Sequence, residues 1–263
     1  MISIVIRNKN EAKALAHVLS ILTSLYAKDI GEIILVDNKS TDNSVTIAKK
    51  YGCKIVTISH FTYGKATNLG IKEAKNKYIL LLSAHAVPIG LSFFKSAITC
   101  FEDNSHVAGV RFVNSFENYI RAHQNNYNIK KPLTHGLMTA CAMINKSVWE
   151  AHKFDETLLA NEDKHWSKIV IDNGFVIKDV AETFFYFAER TEASTLKRHK
   201  QETIAYYQLH EKKYPSYFKI IVASIYKITI VNLKSFFQNI LKEFKILKLK
   251  FQIKNTLNKT GKK

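Results

Sequence analysis

Four polar segments carry the side chains that could do chemistry, and each follows a short apolar run. They are Arg7-Asn8-Lys9-Asn10-Glu11, Val36-Asp37-Asn38-Lys39-Ser40-Thr41-Asp42, residues 60–70 with Lys65 and Asn68 inside them, and Ser83-Ala84-His85-Ala86-Val87-Pro88. Together they offer carboxylates, amides, hydroxyls, an imidazole and cations, the groups that grip a polar, charged small molecule. Taken singly, each has a plainer use. Asp42 suits a helix cap, and Gly64 and Gly70 suit turns. A fifth segment, Asn161-Glu162-Asp163-Lys164-His165-Trp166, sets two adjacent acids at an expected helix start, where acids are favoured in any case.

The elements that must position these residues follow from the apolar pattern. Residues 2–6, 33–36, 54–58 and 78–82 predict strands, and residues 10–25, 42–51 and 67–75 predict helices, with Leu15, Val18, Leu19 and Leu22 on one face of the first. Strands alternating with helices at this spacing predict a parallel sheet covered by helices. Strands that are apolar throughout agree, being buried on both faces. In such a sheet ligands bind at the carboxyl ends of the strands, so the polar segments share one crevice. The second half is less regular. It predicts helices over 88–101, 147–152 and 163–172, and strands over 107–113, 137–144, 175–181 and 184–188. Residues 112–131 show no decodable pattern.

The chain has 263 residues, 46% of them hydrophobic, enough for a sizeable core and unlike a disordered composition. Its net charge is +17. From Glu211 onward there are 13 lysines and two acids, a net +11, which leaves +6 for the first 210 residues. A basic tail points to an anionic partner, lipid headgroups or nucleic acid. Residues 217–251 mix aromatic and β-branched residues with Lys219, Lys227, Lys234, Lys242, Lys245 and Lys248, which predicts one or two amphipathic helices lying on an anionic membrane surface. The segment reads as too charged to span a bilayer, and no uninterrupted apolar stretch reaches the ~20 residues of a spanning helix. No nucleic-acid module is present, so nucleic acid is not the expected partner. Cys53, Cys100 and Cys141 are isolated and predict neither a zinc site nor a disulfide framework. A reducing cytosol is the simpler setting, and the start of the chain shows no signal-peptide pattern.

With these residues in view the sequence resembles glycosyltransferase family 2, which has the GT-A fold. Ser3-Ile-Val-Ile-Arg-Asn-Lys-Asn-Glu11, Ile34-Leu-Val-Asp-Asn-Lys-Ser-Thr-Asp42 and Gly64-Lys-Ala-Thr-Asn-Leu-Gly70 carry the resemblance, which covers about residues 1–190. It implies a GT-A (Rossmann-like) α/β domain over residues 1–210, with a nucleotide-binding half over about 1–105 and an acceptor half over about 106–210. The basic helical tail occupies 211–263. The expected activity is inverting transfer of a sugar from a nucleotide-sugar, UDP-linked, to a saccharide or lipid-linked saccharide in bacterial capsule or lipopolysaccharide synthesis. The expected location is cytoplasmic, peripheral on the inner face of the membrane.

The resemblance also assigns residues. Asp37 would pair with the nucleobase, as a carboxylate can accept the imide N–H of uracil. Arg7, Asn10, Lys65, Asn68, Ser83 and His85 would complete the donor site, with Arg7 and Lys65 neutralising phosphate. Asp163 would be the general base, and Glu162 would support it or bind the acceptor. Trp166 suits either an acceptor-facing wall or the core. The family's Asp-x-Asp metal motif is replaced by Ser83-Ala84-His85. The divalent cation, Mn²⁺ or Mg²⁺, is therefore in question, and His85 is the one candidate ligand, since imidazole suits Mn²⁺ better than Mg²⁺. Where the family often has a further histidine, this chain has Tyr186-Phe-Ala-Glu-Arg190. Two other readings are a non-catalytic, membrane-associated partner of a polysaccharide assembly and a sugar nucleotidyltransferase. The Gly-rich basic loop usual in nucleotidyltransferases after the first strand is missing from residues 7–11.

Overall fold

The β-branched runs form nine strands in the computed structural model, which describes residues 1–259. They are β1 (Ile2–Asn8), β2 (Ile30–Asp37), β3 (Lys54–Thr57), β4 (Tyr78–Ser83), β5 (Ala86–Ile89), β6 (Val107–Phe112), β7 (Cys141–Asn145), β8 (Val176–Val180) and β9 (Thr183–Tyr186). Seven make a mixed sheet in the order β3-β2-β1-β4-β7-β6-β8. β7 runs antiparallel to β4 and β6, and the other pairings are parallel. β5 and β9 form a separate antiparallel pair, with Ala86 opposite Tyr186.

Alternation along the central strands explains the layering. Ile4 and Ile6 join Leu15, Val18, Leu19 and Leu22 of the helix Ala12–Leu25 in one buried cluster. Val5, between them, joins Val36, Ile71 and Trp166 in the cluster on the opposite face. Ile71 belongs to the helix Tyr63–Glu73, which lies close on the sheet. A methyl group added at Gly70 would sit 2.2 Å from Val5 Cγ1, so this helix approaches only because Gly70 has no side chain.

The expected helix over 88–101 is corrected. Pro88 lies in β5, Gly90 breaks the chain direction at φ +101°, and the helix begins at Phe93. Proline has no N–H to donate, which suits a short two-stranded pair better than a helix interior. The expected strand over 137–144 shortens to β7, because residues 137–139 are drawn into a loop by side chains of the helix Glu162–Asp172. The helix expected from residue 67 begins at Tyr63, where Thr62 accepts from Lys65 N–H as its cap. Helices Phe116–Gln124 and Glu192–Leu209 were not legible in sequence. The first is exposed on most of its surface and has few apolar positions to show a period.

The chain divides into a unit Met1–Lys212 and a second beginning at Lys213. In the second, helical turns run without a break from Tyr217 to Lys259 and include a π-helical turn at Lys227–Val231. This helix differs from expectation in one respect. It contains an 18-residue stretch with mean hydropathy 1.5 and no more than two charged residues, so by length and composition alone it is apolar enough to cross a membrane.

Candidate active site

At the carboxyl end of β1 the backbone turns through Asn10, held at φ 53°, and at the end of β2 through Lys39 at φ 52°. The two turns are laced together. Asn8 Nδ2 donates to Asp37 Oδ1 and to Ser40 Oγ, each at 3.0 Å. Asp37 Oδ2 accepts from Ser40 N–H at 2.9 Å, and its Oδ1 from the Ser40 hydroxyl at 2.6 Å. Asn10 Oδ1 accepts from Thr41 N–H, and Asp42 accepts from Ala12 N–H. Asp37 is 2% exposed. Its carboxylate therefore shapes the turn Asn38–Ser40, and both its oxygens already hold protein donors. Asn8, which sequence reasoning passed over, is the buried bridge between the turns.

The helix Tyr63–Glu73 contributes its exposed Lys65 in the first turn. Gly64 is required there by a close crossing, since a methyl group would lie 2.1 Å from Asp155 O. Asn68 is buried and faces that crossing. Its Nδ2 donates to Phe154 O and Glu156 Oε1, and its Oδ1 accepts from Trp149 Nε1 and Phe154 N–H. It clamps the segment before the acid pair.

The acid pair opens the helix Glu162–Asp172, after Asn161 in the left-handed region at φ 60°. Glu162 is buried and bonded to Arg7 Nη1 at 3.1 Å and to the Thr139 hydroxyl at 3.1 Å. Burial, then the neighbouring Asp163, pushes its pKa up, while Arg7 opposes the shift. Arg7 is equally committed, donating to Thr67 Oγ1, Glu162 and Thr139. Asp163 is the half-buried member. Its Oδ2 accepts from Thr139 N–H at 3.0 Å and its Oδ1 from Lys164 N–H at 2.8 Å. Lys164 Nζ is turned inward onto Gly136 O and Leu137 O, and its burial lowers its pKa. Thr139 thus joins Arg7, Glu162 and Asp163, a role with no local signal in the sequence. Trp166 is fully buried, stacked on Phe154 with ring centres 5.1 Å apart, and so belongs to the core.

The other end of the crevice forms where β4 passes into β5. His85 Nε2 lies 2.9 Å from Ser83 Oγ and 2.9 Å from the Tyr186 hydroxyl. Its Nδ1 faces Glu11 Oε1 at 3.6 Å. Phe187 N–H donates to His85 O, which fixes the segment after β9 alongside. Arg190 Nη2 donates to the Tyr186 hydroxyl at 2.6 Å. Burial, helped by Arg190, Arg198 and Arg7, lowers the His85 pKa to about 4.

A mostly parallel, mixed sheet flanked by helices, with its polar turns at the carboxyl ends of the strands, is an α/β architecture of the GT-A type. The glycosyl transferase family 2 profile matches residues 3–152, and the chain belongs to that family. In fold it is similar to a mannosyltransferase from Pyrobaculum calidifontis in complex with GDP-Man and Mn²⁺, at TM-score 0.63 and 13% identity over 86% of this chain and 69% of that one. It is also similar to glucosyl-3-phosphoglycerate synthase from Mycobacterium tuberculosis in complex with Mn²⁺, UDP and glucosyl-3-phosphoglycerate, at TM-score 0.61 and 13% identity over 82% and 81%. The S. aureus TarS fragment 1–349 in complex with UDP-GlcNAc gives 0.56 and 15% over 74% and 60%. No curated protein matches the chain.

The divalent cation that the family implies can be tested against the residues at the end of β4. Such ions take several oxygen ligands, carboxylates above all. Here His85 Nε2 is shared by two hydroxyls, while its buried Nδ1 has no hydrogen-bond partner and faces the single carboxylate of Glu11 at 3.6 Å, short of the several oxygen ligands such an ion takes. Among the described residues no three His, Cys, Asp or Glu side chains converge to hold a metal. The charges around His85 are mixed, with Arg190 and Arg198 set among Glu11 and Glu202. The donor set does not fit a divalent cation.

Proposed function

We propose that the chain is an inverting glycosyltransferase acting on a nucleotide-sugar, UDP-linked, with a saccharide or lipid-linked saccharide as acceptor, in the synthesis of a bacterial surface polysaccharide. The observation that carries the reading is Asp163. It is a partly exposed carboxylate at the crevice rim, oriented by Thr139 N–H, beside a Glu162 whose charge Arg7 already balances. An acid so placed can take a proton, whereas Glu162 is held away from substrate by its partners.

The laced turns of β1 and β2 receive the nucleoside, with Asp37, Asn8 and Asn10 setting their shape. Lys65 lies at the diphosphate. The acceptor hydroxyl gives its proton to Asp163 as its oxygen bonds to the anomeric carbon. The bond from that carbon to the diphosphate oxygen breaks on the opposite face, its electron pair leaving with the nucleoside diphosphate. One displacement inverts the anomeric centre. General-base assistance of this kind contributes about 10²–10⁴-fold. The basic tail keeps the domain at the cytoplasmic face of the membrane, where lipid-linked acceptors lie.

The decisive experiment pairs donor binding with turnover in Asp163→Asn. The expected result is donor affinity within about twofold of wild type and a rate lowered by the factor that a base supplies. Unchanged turnover would remove Asp163 from the role, and a product of retained anomeric configuration by NMR would sink the inverting mechanism.

A further inference from the structure

Resting on the donor site just described, we propose that Arg190 and Arg198 hold the donor's diphosphate in the place a divalent cation would otherwise take, so that transfer proceeds without metal. The two positions where a cation would be ligated, the end of β4 and the segment after β9, are instead joined to each other by the hydrogen bond from His85 Nε2 to the Tyr186 hydroxyl. That bond occupies the space between them with protein. Tyr186 is in turn the anchor of one guanidinium group. Arg190 donates to its hydroxyl and lies over its ring at 5.6 Å, and Arg198 lines the same hollow as Tyr186.

Beyond this chain of contacts opens a hollow of about 460 Å³, lined by Tyr186, Arg190, Thr195, Arg198, His199 and Glu202. Arg190 and Arg198 are both exposed, Arg190 shortly after Phe187, whose N–H donates to His85 O, and Arg198 in the helix Glu192–Leu209. Acids stand nearby. Glu202 pairs with Arg198 Nε at 2.5 Å, Glu11 faces His85, and Glu189 and Glu192 are exposed. Glu202 meets the Nε of Arg198, which leaves the terminal nitrogens of that guanidinium for other acceptors. A guanidinium fork suits phosphate oxygens, donates to them two at a time and stays charged throughout the useful pH range. It can stabilise the negative charge that gathers on a departing diphosphate, as a cation would.

The test is calorimetric titration of the full chain with UDP and with GDP, in EDTA and again in Mn²⁺, for wild type, Arg190→Gln, Arg198→Gln and His85→Ala. The expected result is that one nucleotide binds wild type in EDTA with affinity changed less than about twofold by Mn²⁺. Each arginine variant should then bind about tenfold to a hundredfold more weakly, as loss of charge-assisted hydrogen bonds predicts, with circular dichroism unchanged. Turnover in EDTA should fall with it. Binding that appears only with Mn²⁺ and is lost in His85→Ala would overturn the proposal and leave the transferase reading intact. Binding in EDTA that both arginine variants retain would also overturn it. Absence of binding under either condition would overturn both readings together.

Discussion

The two ends of the crevice are built from opposite materials. At one end Glu162 lies buried against Arg7 and Thr139, and its neighbour Asp163 remains partly open. At the other, Ser83, His85 and Tyr186 form a chain of neutral donors and acceptors, with Arg190 and Arg198 beyond it. The first end resembles an acid-base site, with one carboxylate immobilised so that the other can act. The second resembles an anion site, because charge is supplied by groups that cannot lose their proton near neutrality. The difference teaches that the chemistry is divided by position. On the proposals above, proton removal belongs to the start of the helix Glu162–Asp172, and charge neutralisation to the segment after β9.

Breaking the first end should have the largest effects. Asp163→Asn should lower kcat about 10³-fold while the nucleotide Kd hardly moves, measured by steady-state kinetics beside calorimetry. Arg7→Met strands a buried carboxylate and should cost about 3–5 kcal/mol in denaturant unfolding. The double variant Arg7→Met/Glu162→Leu, which removes both charges, should cost less than the single one. If it costs more, the pair stabilises the fold in its own right and does not merely satisfy itself.

Two further measurements sharpen the comparison. Gly64→Ala should destabilise by about 1–3 kcal/mol, because its methyl would overlap Asp155 O and force the clamped crossing apart. At the second end the relevant lever is pH. His85 holds its proton in the unfolded chain up to an ordinary value of 6.5, but only to about 4 when folded. Between those values the unfolded state binds more protons, so stability is present above 6.5 and is lost as pH falls toward 4. His85→Gln should flatten the pH dependence of thermal stability across that window, in protein free of nucleotide and metal.

The smallest effect concerns the tail. Flotation with anionic vesicles should capture the full chain, and 0.5 M salt should release it if the lysines hold it at the surface, since charge contacts are screened there. Retention in salt and in alkaline carbonate would show instead that the helix Tyr217–Asn258 enters the bilayer, as its apolar stretch permits by composition.

Much of the fold was legible because its signals are local. β-Branched runs separated by helical spacing identify β1 to β4 from residues 2 to 82, and the polar segments after them identify the crevice. Legibility fails after about residue 86, for reasons visible in particular elements. Pro88 and its neighbours read as a helix start until β9 arrives to pair with them. Residues 137–140 read as strand until Lys164 and Ser167 pull them into a loop.

The residue types of the site, then, were set by sequence alone: an acid pair, a lysine at a helix start, and an imidazole where carboxylates are customary. Only the tertiary structure decided which of these groups remain available. Arg7 and Glu162 are 155 residues apart, and their pairing takes both out of solution. His85 and Tyr186 are 101 apart, and their hydrogen bond joins the end of β4 to the segment that carries Arg190. The physical reason is that charge and hydrogen-bonding capacity belong to a residue type. Whether that capacity is already satisfied depends on which distant groups the sheet order brings within about 3 Å.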